Sequence, residues 1–356
     1  MPAQIPGARI NAIASACPTQ DVEETYRRWA GEILTDKRDA KLFDRMAERS
    51  GIEHRWSVLG EAADLSPGGV YSSGASPTTA QRMAIYAREA PPLALAAIRK
   101  LPDIDGVTHL VLASCTGFIA PGVDQIIARE LGLAGDVERT LIGFMGCYAG
   151  ATALRTGGHL ARANPGAKVL VVTVELCSLH LQQEADLEAT LAMAQFSDGA
   201  AAAIISCEGP GLAIGEGLSA TLQESSDLIT WTIGDTGFLM NLSGAVPRRL
   251  SQALADPDLA SRIVDGGEAA DIDAWAVHPG GASILDAVER AFDLPAQALT
   301  ESRAVLRNYG NMSSSTVLFV LEQVLPRHPD RGVVLAFGPG LAMEGFRFGW
   351  TDGDAC

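Results

Sequence analysis

Five short runs, HLVLAS (109–114), KVLVVTVEL (168–176), AAAIIS (201–206), AWAVH (274–278) and GVVLAFG (332–338), are apolar at nearly every position rather than at every second one. Runs of this kind suit strands that are covered on both faces. Between them, GATALRTGGHLARA (150–163) and STVLFVLEQVL (315–325) repeat with a helical period. Strand and helix therefore alternate, which predicts an α/β fold. The opening MPAQIPGARINAIASACP has only a brief apolar run, broken by Asn11 and preceded by a single Arg. It predicts a first strand rather than a signal peptide. No window approaches the roughly 18–20 uninterrupted apolar residues of a membrane span, so no integral membrane association is expected.

The spacing of these elements repeats. His109, which opens the strand HLVLAS, lies 38 residues before Cys147, and Asp273, which opens DAWAVH, lies 38 residues before Asn311. Val169 follows Cys147 by 22 residues, as Val333 follows Asn311, so every pair shares the offset 164. Two superimposable halves, 1–217 and 218–356, are the economical reading, although two generic strand-turn-helix units could match by chance. With that offset His278 corresponds to Ser114 and sits at a carboxyl strand end, the edge where α/β sheets gather their ligands.

Composition narrows the classes. The chain has 356 residues, 47% hydrophobic and 20% charged, with 37 Gly and 18 Pro, which is a globular profile too long for one small domain. A formal charge of −16 argues against nucleic acid or an anionic membrane surface as the main partner, because both require a basic face. The six cysteines, Cys17, Cys115, Cys147, Cys177, Cys207 and Cys356, are scattered and form no CxxC pair. That spacing fits a reduced cytoplasm and offers no metal site.

Three residues stand out chemically. Cys147, in GCYAG, directly precedes a helical stretch, where the macrodipole would lower a thiol pKa; a small buried thiol is the ordinary alternative. His278, in VHPGG, ends an apolar strand, and a turn carbonyl could satisfy it. Asn311, in YGNMSSS, could cap a helix. As a set they can pair a thiolate with an imidazolium and aim two N–H donors at a thioester oxygen.

At these residues the chain resembles the type III polyketide synthases, the family of chalcone and stilbene synthases and their bacterial relatives. The likeness runs almost end to end through ARINAIASACP, LFDRMAERSGIEHRW, SCTGFIAPGVD, FMGCYAGAT, FSDGAAAAI, HPGGASILDAVE, YGNMSSSTVLFVLE and FGPGLAMEGF. The resemblance implies a thiolase fold with α-β-α-β-α layers, a homodimer, and Cys147, His278 and Asn311 as catalytic triad. It implies Phe196 as an aromatic gate beside the thiol, and His180, Trp231, Met240 and Ser313 as residues shaping the cavity. Trp231 stands where plant enzymes often carry Gly. A coenzyme A site would fall on the basic segment 37–55, with six Lys/Arg against four Asp/Glu. There Lys41, Arg45 and Arg49 share one helix face. Arg45 and Arg49 match the family's phosphate-contacting positions, while the first basic position of the family is Leu42 here.

The implied substrates are acyl-CoA and malonyl-CoA, with no cofactor and no metal. An acyl group would load on Cys147, malonyl-CoA would lose carbon dioxide, and the enolate would attack the Cys147 thioester. The stretch ELCSLHLQ resembles bacterial enzymes that take fatty acyl starters, so an alkylpyrone or alkylresorcinol is the expected product. A ketoacyl synthase III of fatty-acid synthesis is the nearest rival reading. A catalytically dead thiolase-fold partner subunit is a more distant one.

Overall fold

The computed structural model describes residues 7–59, 70–71, 76–164, 166–183 and 186–353. Residues 1–6 of the opening segment, and Cys356, lie outside these ranges. Strands β1 (Arg9–Ala16) and β2 (Gln20–Asp21) lead into helices α1 (Glu23–Ile33) and α2 (Lys37–Ser50), then β3 (Trp56–Ser57) and α3 (Thr79–Ile98). There follow β4 (His109–Ser114), α4 (Val123–Glu130), β5 (Glu138–Gly143), α5 (Ala149–Ala163), β6 (Val169–Leu176), α6 (Leu187–Met193) and β7 (Asp198–Ser206). Next come β8 (Gly211–Thr221), a hairpin of β9 (Ile229–Gly234) and β10 (Gly237–Leu242), α7 (Val246–Leu254) and α8 (Pro257–Ile263). The chain closes with β11 (Ala274–Val277), α9 (Ala282–Ala291), α10 (Thr300–Tyr309), α11 (Thr316–Val324), β12 (Gly332–Gly338) and β13 (Ala342–Thr351).

Nine strands form one sheet in the order β11-β12-β13-β8-β1-β7-β6-β4-β5. From its middle outwards the two sides follow the same rule. β1 pairs antiparallel with β7, β7 antiparallel with β6, and β6 parallel with β4. Likewise β8 pairs antiparallel with β13, β13 antiparallel with β12, and β12 parallel with β11. The join is slight, since β1 and β8 share only the pairs Arg9–Ala213 and Ile10–Leu212. Position 217 lies inside β8.

The uninterrupted apolar strands have a direct cause. Val111, Ala113, Val169 and Val171 point to a core that also holds Leu154 of α5 and Val317, Leu318 and Val320 of α11. Their neighbours Leu110, Leu112, Leu170 and Val172 point the other way, onto Tyr86, Ala94 and Ile98 of α3. On the second side Ala274, Ala276, Val334 and Ala336 face the same central helices. Trp275, Val277, Val333 and Leu335 face an outer layer with Leu250, Leu285 and Leu306. Side chains alternate across a strand, so both faces must be apolar when both are covered. The result is an α-β-α-β-α stack with α5 and α11 at its centre.

The constant offset of 164 holds for the strand positions but not for their pairing. Leu110 pairs with Leu170, whereas Ala274 pairs with Gly332 instead of Val334. The slip is two residues, which leaves every side chain on its own face.

Candidate active site

The carboxyl ends of β4, β6, β11 and β12 open on a cavity of about 500 Å³, and Cys147, His278 and Asn311 all line it. Cys147 stands in the turn between β5 and α5. Gly146 has φ +85°, and a Cβ there would lie 2.2 Å from Cδ of Pro339. A Cβ on Gly338 would come within 3.2 Å of the Cys147 backbone nitrogen. Gly146 of GCYAG and Gly338 of FGPG are therefore explained together: the two turns wedge into each other, and no larger residue fits between them at these positions.

His278 follows β11 by one residue and is fixed through its backbone N–H, which donates to the Leu335 carbonyl at 2.8 Å. Its ring is fully buried, and neither ring nitrogen has a hydrogen-bond partner among the described residues. A turn carbonyl does not satisfy it. Asn311 does not cap a helix, because a 3-10 turn (Ser313–Ser315) separates it from α11. Instead its side chain is clamped in one orientation. The Oδ1 atom accepts from Ser313 N–H (2.9 Å) and Thr316 Oγ1 (3.3 Å), which leaves Nδ2 as the outward donor. One Nδ2 proton goes to the Gly280 carbonyl at 3.3 Å, and the other is directed to the Cys147 side of the cavity, where a ligand oxygen can take it up.

Burial pushes the Cys147 thiol up to about 11, against hydrogen bonds from Ser313 and Asn311 that pull it down and the Glu175 charge that raises it further. Burial alone lowers the His278 imidazole to about 3. The expected depression of the thiol by α5 is therefore overruled. A macrodipole contributes about 0.3–1 kcal/mol at an exposed terminus, less than one pKa unit, and desolvation outweighs it here.

Phe196 lines the cavity, and its backbone forms a bridge with Asn311. Trp231 and Met240 face each other across the β9–β10 hairpin and both line the cavity. The indole N–H of Trp231 donates to the Cys115 carbonyl at 2.9 Å. Ser313 also lines the cavity, and its hydrogen bond to Cys147 makes it more than a wall residue. It holds φ +47°, an uncommon conformation for a residue with a side chain. His180, expected among the cavity residues, does not line the cavity. It is fully buried behind Trp231, with Nε2 2.7 Å from the Thr116 carbonyl and Nδ1 accepting from Phe238 N–H at 3.0 Å. Both ring nitrogens are consumed by backbone groups, so no polar atom of His180 is left for a ligand.

Helix α2 borders the same cavity. Asp36 caps its start by accepting from Arg38 N–H at 2.7 Å, and Gly51 at φ +69° ends it. Leu42 and Met46 line the cavity, with Met46 46% exposed at the rim. Arg45 and Arg49 flank that stripe at helical spacing, are exposed, and make no ion pair among the described residues.

Models of known families match both parts of the chain: the N-terminal domain of chalcone and stilbene synthases over residues 6–209, and their C-terminal domain over residues 217–349. The chain belongs to the chalcone and stilbene synthase family. Among its relatives is the alpha-pyrone synthesis polyketide synthase-like Pks18 of Mycobacterium tuberculosis, 35% identical over 289 residues, which cover 76% of this chain and 73% of the relative. The solved structure of PKS-I from the brown alga Ectocarpus siliculosus superposes with a TM-score of 0.87 at 28% identity, covering 97% of this chain and 98% of that one. The type III polyketide synthase domain of Steely1 from Dictyostelium superposes with a TM-score of 0.86 at 27% identity, covering 96% and 99%. The protein is thus a thiolase-fold type III polyketide synthase, an acyl-transferring condensing enzyme, and the ketoacyl synthase reading is not favoured.

The synthase carries site residues that the sequence reading passed over. Glu175, inside the apolar run of β6, is fully buried and accepts hydrogen bonds from Cys115 N–H (2.9 Å), Thr116 Oγ1 (2.8 Å) and Ser314 Oγ. Burial raises it to about 7, with those bonds opposing. A lone carboxylate in an otherwise apolar strand was the available signal. Leu42 was noted only as a departure from a basic pattern, yet it and Met46 give the synthase an apolar rim.

Proposed function

We propose that the synthase loads an acyl group from coenzyme A on Cys147, extends it with malonyl-CoA by decarboxylative condensation, and releases a cyclised pyrone or resorcinol. The observation that carries this reading is the convergence on one cavity of a thiol, an imidazole with both nitrogens unpartnered, and a carboxamide locked with its amide outward. As acyl-CoA arrives, the Cys147 proton passes to His278, so the thiolate appears together with its counter-ion instead of as a lone buried charge. The thiolate attacks the thioester carbonyl, and coenzyme A leaves with that proton. Malonyl-CoA then loses carbon dioxide. The enolate oxygen is held by one His278 N–H and the spare Asn311 Nδ2 proton before its carbon attacks the Cys147 thioester. Thioester exchange and decarboxylation need no metal and no cofactor.

The apolar wall suits an alkyl starter, and the name of the Pks18 relative refers to alpha-pyrone synthesis. Mass spectrometry of products from malonyl-CoA and a panel of acyl-CoA starters tests the reading; turnover of aromatic but not alkyl starters would overturn the alkyl assignment. Trp231→Ala should move the optimum to longer chains, since each extra methylene accommodated is worth about 0.8 kcal/mol, roughly four-fold in kcat/KM.

Arg45 and Arg49 are assigned to the coenzyme A phosphates. The exposed cations beside the rim support this; the solved structure of a CsyB mutant, 25% identical to this chain, is a complex with CoA-SH. Replacing both with Glu should raise KM for malonyl-CoA about ten-fold at low salt, on the order of 1.4 kcal/mol. An unchanged KM would remove the site from this helix.

The synthase is assigned to the cytoplasm as a homodimer; no described helix is long and apolar enough to cross a membrane. Among the described residues strand β5 leaves one sheet edge unpaired, with Leu141 53% exposed on it and Phe118 42% exposed nearby, a surface that a second copy would cover. A monomeric mass in solution would refute the dimer.

A further inference from the structure

We infer that Arg55 is a positioning residue that holds the Phe196 gate and the Asn311 amide in register with Cys147. The inference rests on the condensing function proposed above.

Arg55 is 2% exposed and follows the loop that leaves α2. Its NH1 donates to two carbonyls of the segment that carries the gate, Met193 at 2.9 Å and Phe196 at 3.2 Å. Its Nε donates to Glu23 at 2.5 Å, and its guanidinium lies over the Tyr26 ring, 4.3 Å from the centroid. The charge is thus anchored on α1 while its donors reach the gate.

The gate segment in turn holds Asn311. Asn311 N–H donates to the Gln195 carbonyl at 2.8 Å, and Ser197 N–H donates to the Asn311 carbonyl at 2.9 Å. Gly310, at φ +67°, packs so closely that a Cβ there would lie 3.1 Å from Cγ of Arg55. The guanidinium therefore holds the Phe196 strand of the small bridge directly, while the Cγ of the same side chain lies against Gly310, next to Asn311 on the other strand. Arg55 touches no cavity and no reacting atom, so its effect must pass through these two residues.

Lysine keeps the charge but is a single flexible point donor without the planar fork that reaches both carbonyls and Glu23. Arg55→Lys should still acquire the starter acyl group on Cys147, seen as a mass shift of the intact protein. Condensation should fall by about 10²-fold, the usual result of an ångström of misplacement. Carbon dioxide released per condensed product should rise several-fold, because enolates formed beside a displaced gate are protonated before they attack.

Glu23→Gln keeps the carbonyl bonds while loosening their anchor, and should show the same two changes to a smaller degree. It decides the matter if Arg55→Lys does not fold. A release-to-product ratio equal to wild type in the folded variants would overturn the inference, as would acylation and condensation falling together with the folded fraction. Absence of any carbon dioxide or product from the wild-type protein would instead refute the condensing function itself.

Discussion

Cys147→Ala is expected to abolish condensation while malonyl-CoA still releases carbon dioxide, whereas Asn311→Ala is expected to suppress both. The division follows from what each side chain offers. Cys147 supplies the sulfur that carries the chain and nothing that an enolate needs. Asn311 supplies an amide whose orientation is not free, since Oδ1 is already occupied by Ser313 N–H and Thr316 Oγ1. Loss of one such oxyanion donor costs about 10² to 10³ in rate. His278→Ala should be worse, because it removes a donor and also the acceptor of the thiol proton. The thiol, held up near 11, would then have no partner with which to ionise. Labelled carbon dioxide release and product formation, measured side by side for the three variants, check the assignment. Decarboxylation lost in Cys147→Ala but intact in Asn311→Ala would reverse the roles.

Gly150→Ala should destabilise the protein by about 1–3 kcal/mol and lower kcat about 10²-fold, even though alanine is the better helix former by roughly 1 kcal/mol. A Cβ at position 150 would lie 2.1 Å from the Ser314 carbonyl oxygen and 3.0 Å from Cγ1 of Val317. Neither α5 nor the Ser313–Ser315 turn can absorb that clash by rotating a side chain, because the nearest atom is backbone. The turn must move, and it carries Ser313 and Asn311 away from Cys147. Gly31, in α1, has none of the described residues within 4 Å of its would-be Cβ. Gly31→Ala should therefore stabilise by up to about 1 kcal/mol with activity unchanged. Denaturation midpoints and kcat for the pair check the contrast; equal shifts of one sign would contradict it.

The strands were legible because their burial on both faces removes the polar positions that usually interrupt a run, and the predicted limits of HLVLAS and GVVLAFG coincide with β4 and β12. The internal offset was legible for the same reason, since burial pattern repeats where residue identity does not. Pairing register was not, because a slip of two residues leaves the pattern unchanged.

Among the site residues, Trp231 and Met240 could be named from the chain, but not that a hairpin places them opposite each other. His180 looked like Trp231 in sequence. Only its two backbone hydrogen bonds, to groups 64 and 58 residues away, show that it is used up inside the wall.

The chain by itself determined the α/β alternation, the family, and the Cys-His-Asn set, because these depend on residue type and on spacing along the backbone. Tertiary structure decided the rest, since each remaining point depends on distances between distant segments. Burial pushes the thiol up and the imidazole down, against the expectation from a helix terminus. Gly150 and Gly31 are both helical glycines in sequence, and only the carbonyl of a residue 164 positions later makes one of them indispensable.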